Sequence, residues 1–280
     1  MLDKEPSTMG GLFDGIAPTY DRLNRILSLG IDRSWRRAAV RELAIEDGDT
    51  VLDVATGTGD LAIAALSGAS CRIAGIDLSR EMIAVASRKS KSRGHSRRAL
   101  FLIGDALSVP LKSGSIHRAM VAFGIRNMKS PDGFFDELRR VLVQGGRAMI
   151  LEFALPENPL LRALYLVYFA RVLPLIGGLL SGNRDAYRYL TESVLDFPSP
   201  AHLLLMMNRH GFGVIMSRRL FPGIVHLFVI EKQPGRFSGL GDIKNEGLSG
   251  HSPGCTSPPR LHQPRQADQF SHAPGLGDAS

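Results

Sequence analysis

The sequence predicts an α/β protein with a mostly parallel seven-stranded sheet, helices on both faces and an antiparallel hairpin near the C-terminal end. Two observations lead to this prediction. Apolar runs typical of buried strands alternate with helical patterns between residues 50 and 153, the rhythm of parallel strands joined by crossover helices. Further along, two more strand-like runs are joined by Pro222-Gly223, a pair suited to a tight turn.

An N-terminal helical cap is predicted over residues 1–45, because residues 9–45 carry apolar side chains at helical spacing. After residue 45, strand patterns alternate with helix patterns. Pro131 suits the first turn of the third helix between the strands, and Gly145-Gly146 follow its end. Strands are predicted at 50–55, 71–76, 99–103, 118–123 and 147–153, and helices between them at 60–67, 79–91 and 131–142.

The alternation stops after Glu152. A helical insertion is predicted at about 156–198, and the domain that contains it is predicted to span 46–232. From 233 to 280 the chain is rich in Gly, Pro, Ser and His without apolar periodicity, which predicts a disordered tail. Between Glu152 and this tail, helices are predicted at 158–180, 187–195 and 200–210, and strands at 213–220 and 224–231.

Charge and composition limit the classes of partner. The formal net charge is +7, and residues 88–98 hold six Lys or Arg and no acid. Such a run is typical of a solvated helix end or of a surface that meets anionic lipid. No aromatic residue is interleaved for base stacking, so nucleic acid is not expected as a partner.

The chain is expected to be cytoplasmic. Its first residues lack the basic start and apolar run of a signal peptide. Residues 160–180 are interrupted by Arg162, Arg171 and Pro174, so they are too polar to span a bilayer. The cysteines, Cys71 and Cys255, are far apart, which suits a reducing compartment and predicts no metal site.

A glycine turn follows the first predicted strand in VLDVATGTGDLA, residues 51–62. Gly57 and Gly59 let a ligand approach the backbone closely. Their G-x-G-x-x-A spacing also fits a dinucleotide fingerprint, but that signal is weak by itself. Asp53 lies where a dinucleotide site normally has an apolar residue or Gly, and Asp60 at the helix start would oppose a pyrophosphate. Negative charge before and after the turn suits a cationic ligand such as a sulfonium with a free amino group.

Two more acids end neighbouring strands. Asp77, at the end of the second strand, can accept both hydroxyls of a ribose, although such an Asp is often only a helix cap. Asp105, after the third, can meet an adenine amino group beside the Ala106 amide. Together with the turn, these acids form the pattern of Rossmann-like class I S-adenosylmethionine methyltransferases. The predicted cofactor-binding residues are Asp53, Gly57, Thr58, Gly59, Asp77, Asp105, Ala106 and Ala122.

Several segments resemble the UbiE-type C-methyltransferases of ubiquinone and menaquinone biosynthesis, and the resemblance covers residues 13–232. The most specific are the YD…N…S.G.DR.W block, FGIRN and the YRYL.ES…FP block. The resemblance implies C-methylation of a prenylated hydroquinone, demethylmenaquinol or also the ubiquinone-pathway benzoquinol. The matching segments are YDRLNRILSLGIDRSWRR (20–37), VLDVATGTGDLA (51–62), GIDLSREMI (75–83), VAFGIRNM (121–128), RVLVQGGRAMILEF (140–153), YRYLTESVLDFP (187–198) and LFPGIVHLFVIEK (220–232).

The FGIRN turn of the family faces the methyl acceptor, so the resemblance implies that Arg126 and Asn127 do as well. Tyr20, which precedes the sheet and could close over the cofactor, completes the predicted catalytic set. A guanidinium beside a quinol hydroxyl favours the phenolate, which pushes electron density into the ring. Asn127 would position a water or the second ring oxygen. The general base stays open, because Phe228 occupies the usual position of a family histidine and His226 lies two residues earlier, on the same face of the strand.

The helical insertion suggests how a lipid-like acceptor reaches the enzyme. One face is expected to carry Leu164, Val167, Tyr168, Arg171 and Leu175, and either packs on the sheet, lines a groove for a prenyl tail or meets the inner membrane surface. The sequence leaves the oligomeric state open, with a homo-oligomer as one option. Three other functions remain: methylation of another phenol or a sterol, an NAD-dependent oxidoreductase, and a nonenzymatic module that binds anionic surfaces.

Overall fold

Three helices precede the sheet in the computed structural model, which describes residues 4–168, 171 and 184–235, with only the backbone of 184–188. They are α1 (Pro6–Asp14), α2 (Ala17–Leu27) and α3 (Asp32–Leu43). The predicted helical start is therefore present. Most of the predicted tail, residues 236–280, lies outside the described residues.

The predicted seven-stranded, mostly parallel sheet is confirmed, in the order β3-β2-β1-β4-β5-β7-β6. The first five strands pair through parallel ladders: β1 with β2 and β4, β2 with β3, and β4 with β5. Strand β7 runs antiparallel to both of its neighbours, β5 and β6. Ligands of such sheets bind where the strand order reverses, which here is the carboxyl edge of β1 and β4. The strands are β1 (Thr50–Val54), β2 (Arg72–Asp77), β3 (Ala99–Ile103), β4 (Ile116–Ala122), β5 (Leu142–Phe153), β6 (Phe212–Leu220) and β7 (Val225–Lys232).

Side-chain caps start most of the remaining helices. Ser79, Ser130, Asn158 and Ser199 each accept a hydrogen bond from a backbone N–H of the first turn that follows. These helices are α4 (Asp60–Gly68), α5 (Arg80–Ser92), α6 (Pro131–Val141), α7 (Pro159–Val167), α8 (Arg184–Leu195) and α9 (Pro200–Arg209).

Several boundaries differ from the sequence prediction, and the starts of β5 and α8 are two clear cases. Strand β5 begins at Leu142, directly after α6, because Leu142 already pairs with Ile116 before a bulge in the ladder. Helix α8 begins at Arg184, three residues earlier than predicted. The predicted helix over 158–180 is described as far as Tyr168, and most of its remainder lies outside the described residues.

Apolar layers cover both faces of the sheet. Phe134, Phe135 and Leu138 of α6 pack on one face, while Trp35 and Leu43 of α3 pack on the other. Burying each of these side chains contributes about 1.5–3 kcal/mol. A third cluster binds the N-terminal helices to α5, α7 and α8 and so fixes the cap over the carboxyl edge of the sheet. Its buried members are Ile16, Ala17, Leu23, Met82, Tyr165 and Val194.

The basic run at 88–98 is partly structural. Lys89 forms ion pairs with Asp21 of α2 and Asp60 of α4. Arg98 donates hydrogen bonds to the carbonyl groups of Leu66 and Ala69 at the end of α4. The exposed basic side chains of this run are Arg88, Lys91, Arg93 and Arg97.

Helix α7 splits the face that the sequence predicts. Leu164 and Val167 are exposed, whereas Tyr168 turns toward the protein and its hydroxyl donates a hydrogen bond to the Leu27 carbonyl. Leu175 lies outside the described residues. No helix in the described part of the chain is long and apolar enough to cross a membrane.

Candidate active site

A first cleft of about 750 Å³ opens at the carboxyl edge of β1, β2, β3 and β4. Its floor begins at the glycine turn, where Gly57 and Gly59 both have positive φ angles. A Cβ on Gly59 would come within 3.0 Å of the Ala86 side chain, so the third position of the turn needs glycine. The N-terminal cap closes the opposite side with Met9, Phe13 and Tyr20.

Asp77 lines this cleft and also holds its walls together. Its Oδ2 accepts a hydrogen bond from the Gly57 N–H at 2.8 Å, and its Oδ1 accepts one from the Ser79 N–H at 2.9 Å. Burial raises the pKa of the Asp77 carboxyl above its ordinary value, although these backbone donors oppose the effect. A carboxylate has about four lone-pair sites, so acceptor capacity remains for a ligand.

Asp105, Ala106 and Ala122, which the sequence predicts to bind the cofactor, line the same cleft. The Asp105 Oδ1 accepts a hydrogen bond from the Leu107 N–H at 2.9 Å, which fixes the carboxylate at the end of β3. Three strands therefore contribute to one wall. No group of three or more His, Cys, Asp or Glu side chains able to hold a metal occurs in the described ranges.

Three other predicted cofactor residues, Asp53, Thr58 and Gly59, lie behind the lining of the cleft. Asp53 is only 1% exposed and accepts a hydrogen bond from the Thr56 hydroxyl at 2.6 Å, and burial raises its pKa to about 7. Thr58 is buried, and its hydroxyl donates to Asp21 of the cap at 2.5 Å. Asp53, Thr58 and Gly59 are thus near the cleft but do not line it.

The charge of Asp60 is balanced within the protein. Burial acts to raise the pKa of its carboxyl, but Lys89, with Arg36 and Arg25, outweighs burial and holds that pKa below its usual value. Lys89 also bonds Asp21 of α2 at 2.7 Å. This ion-pair cluster joins the cap to the glycine turn, so the expected field of Asp60 on a cationic ligand is weakened.

A second cleft, of about 950 Å³, adjoins the first. The two share Phe13, Tyr20, Phe123 and Asn127. The lining of the second cleft is mostly apolar and aromatic, with polar side chains from α2, α3, the turn after β4 and α8. Its lining residues include Leu12, Ile16, Asn24, Leu27, Ser28, Asp32, Trp35, Arg36, Arg126, Phe153, Tyr168, Tyr189, Leu190 and Ile224.

A row of aromatic rings forms one side of this second cleft. The ring centroids of Trp35 and Phe123 are 6.3 Å apart, and those of Phe123 and Phe153 are 4.6 Å apart. The Arg126 guanidinium carbon lies 5.2 Å from the Phe153 centroid. We refer to Trp35, Phe123 and Phe153 as the aromatic row; the neighbouring rings are tilted by 58° and 34°, and together they offer apolar, aromatic contacts to a ring-shaped ligand.

Arg126 lies at one end of the aromatic row, on a short 3₁₀ turn, Ile125–Asn127. The turn needs glycine just before it, because a Cβ on Gly124 would meet the Ala55 Cβ at 2.8 Å. The Arg126 Nη1 donates to the Phe123 carbonyl and to Glu152 Oε1, both at 2.6 Å. Arg126 is therefore buried and oriented, not a solvated loop residue.

Two residues at this end of the cleft were not predicted as site residues. Glu152, the partner of Arg126, is the one acid within the apolar run of β5, which is the signal that could have found it. Tyr189 lies in the YRYL block, and its hydroxyl donates to Asn127 Oδ1 at 3.2 Å. Burial raises the pKa of Tyr189 to about 12.

His226 and Phe228 lie on the same face of β7, as predicted, with their ring centroids 4.4 Å apart. The His226 Nε2 is 2.8 Å from the Ser217 hydroxyl, and burial lowers the pKa of the imidazole to about 4. Neither residue lines the two clefts. The structure thus places His226 in the packing of the sheet rather than at the second cleft.

A sheet of this order, with a glycine turn after β1 and acids ending β2 and β3, is the fold typical of class I S-adenosyl-L-methionine-dependent methyltransferases. Two solved structures share this fold: a [4+2]-cyclase, SpnF (TM-score 0.63, 17% identity, 82% of this chain and 97% of that one), and a SAM-dependent methyltransferase from Aquifex aeolicus (TM-score 0.51, 19% identity, 70% and 89%).

Sequence comparison specifies the class further. Residues 1–232 match the ubiE/COQ5 methyltransferase family, and the chain belongs to that family. It is 44% identical over 223 residues to the ubiquinone/menaquinone biosynthesis C-methyltransferase UbiE of Geotalea uraniireducens, covering 79% of this chain and 94% of that protein. It is 47% identical over 205 residues to a demethylmenaquinone methyltransferase of Thermus thermophilus, covering 72% and 92%.

The protein is therefore an S-adenosyl-L-methionine-dependent C-methyltransferase of quinone biosynthesis, which confirms the fold, the enzyme class and the cofactor predicted from the sequence. The dinucleotide interpretation of the glycine turn is not favoured, because the family match covers the turn and both clefts.

Proposed function

We propose that the chain methylates a ring carbon of demethylmenaquinol, and that a prenylated benzoquinol is a second acceptor. The observation that carries this proposal is the second cleft, with the buried Arg126 at one end of its aromatic row. We refer to the second cleft as the acceptor cleft and to the first as the cofactor cleft. The names of the relatives, which include demethylmenaquinone methyltransferases, support the choice of acceptor.

The residues of the first cleft fit S-adenosylmethionine. Asp77 and Asp105 present acceptor oxygens at the ends of β2 and β3, and Gly57 leaves space where a ligand would approach the backbone. Asp77 would hold the ribose hydroxyls and Asp105, with the Ala106 amide, the adenine edge, while Ala122 lines the wall. When bound, the cofactor supplies an electrophilic methyl group on a sulfonium.

Arg126 would activate the acceptor. A quinol ring carbon becomes nucleophilic when a neighbouring hydroxyl loses its proton, and a guanidinium beside that oxygen stabilises the phenolate. The cleft is largely apolar, so this interaction is stronger than it would be in water. Since Glu152 and the Phe123 carbonyl hold Nη1, the rest of the guanidinium is held in place without reorganisation.

Asn127 and Tyr20 would orient the acceptor at the junction of the two clefts, which both residues line. Two contacts fix the Asn127 amide: the Tyr189 hydroxyl donates to Oδ1, and Nδ2 donates to the Phe123 carbonyl at 3.4 Å, which leaves one amide N–H for a ligand. Most of the rate enhancement would then come from alignment and from the field of Arg126.

We also propose that this enzyme works in the cytoplasm and contacts the membrane surface, where a prenylated quinol resides. Leu160, Leu164 and Val167 are exposed at i, i+4 and i+7 along α7, so they form one apolar stripe. The opposite side of α7 buries Tyr165, which joins the third core cluster next to the acceptor cleft. An apolar stripe of this kind can enter the lipid interface.

The decisive experiment is an anaerobic assay of the purified full-length chain. Short-chain demethylmenaquinol or the matching prenylated benzoquinol is mixed with S-adenosylmethionine that carries an isotopic methyl label, and products are identified by mass spectrometry. We expect label on a ring carbon of the naphthoquinol. Absence of ring methylation with both quinols, or efficient methylation of an unprenylated phenol or a sterol instead, would contradict the proposal.

A further inference from the structure

The acceptor cleft contains two further charged side chains, Asp32 and Arg36, far along the chain from Arg126. Asp32, in the first turn of α3, is the only carboxylate that lines this cleft among the described residues. It is 5% exposed. A buried carboxylate is costly unless its oxygens are well satisfied, so its presence in a mostly apolar cleft calls for a reason.

The partners of Asp32 hold it in place. The Ser28 hydroxyl donates to Oδ1 at 2.9 Å, and the Arg36 guanidinium, one turn further along α3, pairs with Oδ2. An Asp and Arg four residues apart at a helix start are common on protein surfaces. Here Ser28, Asp32 and Arg36 all line the cleft, and this is what distinguishes the pair from an ordinary surface ion pair.

Asp32 and Arg126 both line the acceptor cleft. Arg126 stacks over Phe153, the last member of the aromatic row, and Asp32 precedes Trp35, the first member, by three residues on α3. Residues three apart on a helix are neighbours on its surface. A ring-shaped ligand in this cleft would therefore have access to a guanidinium beside Phe153 and to a carboxylate on the helix that carries Trp35.

We propose that Asp32 accepts a hydrogen bond from the quinol hydroxyl that lies para to the one beside Arg126, and so makes the cleft selective for the reduced ring. This inference rests on the proposed function. An ionised carboxylate only accepts hydrogen bonds, and Ser28 and Arg36 occupy part of its capacity of about four. A quinol hydroxyl can donate to it.

The oxidised ring meets a different situation. A quinone carbonyl cannot donate, so its oxygen and the Asp32 carboxylate would face each other as two acceptors without a proton between them. Sites built to bind a hydroxyl reject analogues that lack it for this reason. Selection of the reduced ring has a chemical benefit, because a quinone has no hydroxyl to ionise and would occupy the cleft unproductively.

Trp35 supplies a direct binding signal, because it is the only tryptophan of the chain and lines the cleft. The full-length protein, saturated with S-adenosyl-L-homocysteine to prevent turnover, is titrated anaerobically with a short-chain prenylated naphthoquinone in oxidised and in dithionite-reduced form. Quenching of Trp35 gives a dissociation constant for each. In the unsubstituted protein we expect the oxidised form to bind at least about tenfold more weakly.

Asp32→Asn is the informative variant, because the amide can donate to a carbonyl as well as accept. We expect the ratio of the two dissociation constants to fall by about tenfold or more in this variant. Glu42→Gln makes the same chemical change on the same helix, at a residue that pairs with Arg218 outside the cleft. This control should keep the ratio of the unsubstituted protein.

Equal binding of both forms to the unsubstituted protein would overturn the inference, and that comparison holds even if Asp32→Asn does not fold. An unchanged ratio in Asp32→Asn, or an equal change in Glu42→Gln, would overturn it as well. The labelled-methyl assay separates the two proposals. If the quinol is methylated but both forms bind equally, only the role of Asp32 fails. If no quinol is methylated, the proposed function fails and the inference fails with it.

Discussion

Glu152 and Arg126 form a buried ion pair beneath the acceptor cleft, with Oε1 and Nη1 2.6 Å apart. The two side chains are only 1% and 4% exposed. Glu152 comes from the middle of the sheet and Arg126 from the turn after the neighbouring strand, so the pair joins β5 to the carboxyl end of β4. Such a pair stabilises little compared with an apolar replacement, but loss of one partner leaves a buried charge. Its value here is the orientation of the guanidinium.

Replacing Glu152 with Gln should destabilise the fold, because the Arg126 charge would stay buried without its counterion. We expect the free energy of unfolding to fall by about 3 kcal/mol, as for other buried pairs that lose one member. Urea unfolding followed by circular dichroism measures it. Glu157→Gln is the matched control, since Glu157 is 81% exposed and should change stability little.

Replacing Arg126 should abolish the activation of the acceptor while the cofactor cleft stays intact. The double variant Arg126→Gln with Glu152→Gln removes both charges and avoids the buried, unpaired acid. We expect turnover of the quinol to fall by about 10²–10³-fold, the usual effect of losing a group that stabilises a developing anion. Calorimetry should give an affinity for S-adenosylmethionine close to that of the unsubstituted protein. Turnover that stays unchanged would rule out a catalytic role for Arg126.

Asp77→Ala should act on the other cleft. It removes the acceptor that we assign to the ribose and the hydrogen bond that holds the Gly57 N–H, so the dissociation constant of S-adenosylmethionine should rise at least about tenfold. Calorimetry measures the change, with NADH in a parallel titration that is expected to show no binding. An unaltered affinity for S-adenosylmethionine would refute the assignment of Asp77.

Tyr189→Phe tests the support of Asn127. Loss of one hydrogen bond of ordinary strength should lower turnover by about three- to tenfold, because the Asn127 amide is then free to turn. Cofactor affinity should not change, since Tyr189 lines only the acceptor cleft. Steady-state rates with saturating S-adenosylmethionine provide the measurement, and a variant as fast as the unsubstituted enzyme would contradict the support role.

His226 should make the fold sensitive to acid. Burial lowers the pKa of its imidazole to about 4 in the folded protein, whereas an unfolded histidine titrates near pH 6.5. Below pH 6.5 the unfolded chain therefore binds a proton that the folded chain does not, and stability is lost as the pH falls from about 6.5 to about 4.

We expect this loss to be about 2 kcal/mol and to be absent from His226→Gln, whose side chain does not titrate. Urea unfolding at pH 7.5 and pH 4.5 provides the comparison for both proteins. The carboxylates are the same in both proteins, so they contribute equally to the pH dependence of each. The difference between the two losses of stability therefore isolates the imidazole. Parallel curves for the two proteins would refute the assignment.

The sheet and the cofactor cleft were largely predictable from the sequence, because both follow from local patterns. Strand and helix periods, the proline and serine positions at helix starts and the glycine turn depend on neighbours a few residues apart. The carboxyl ends of parallel strands meet at one edge, so the positions of Asp77 and Asp105 could be combined into a single cleft. Asp53 and Thr58 were placed less well, because a strand pattern does not show whether a side chain lies on the cleft or beneath it.

The sequence by itself determined the alternation of elements, the glycine turn and the motifs that identify the family. Only the tertiary structure decided that Glu152 pairs with Arg126 and that Asp32 enters the acceptor cleft. It also decided that Trp35, Phe123 and Phe153 form one row. The physical reason is that these contacts join residues far apart in the chain, and they depend on strand order and on how the N-terminal helices pack. Local periodicity carries no information about either.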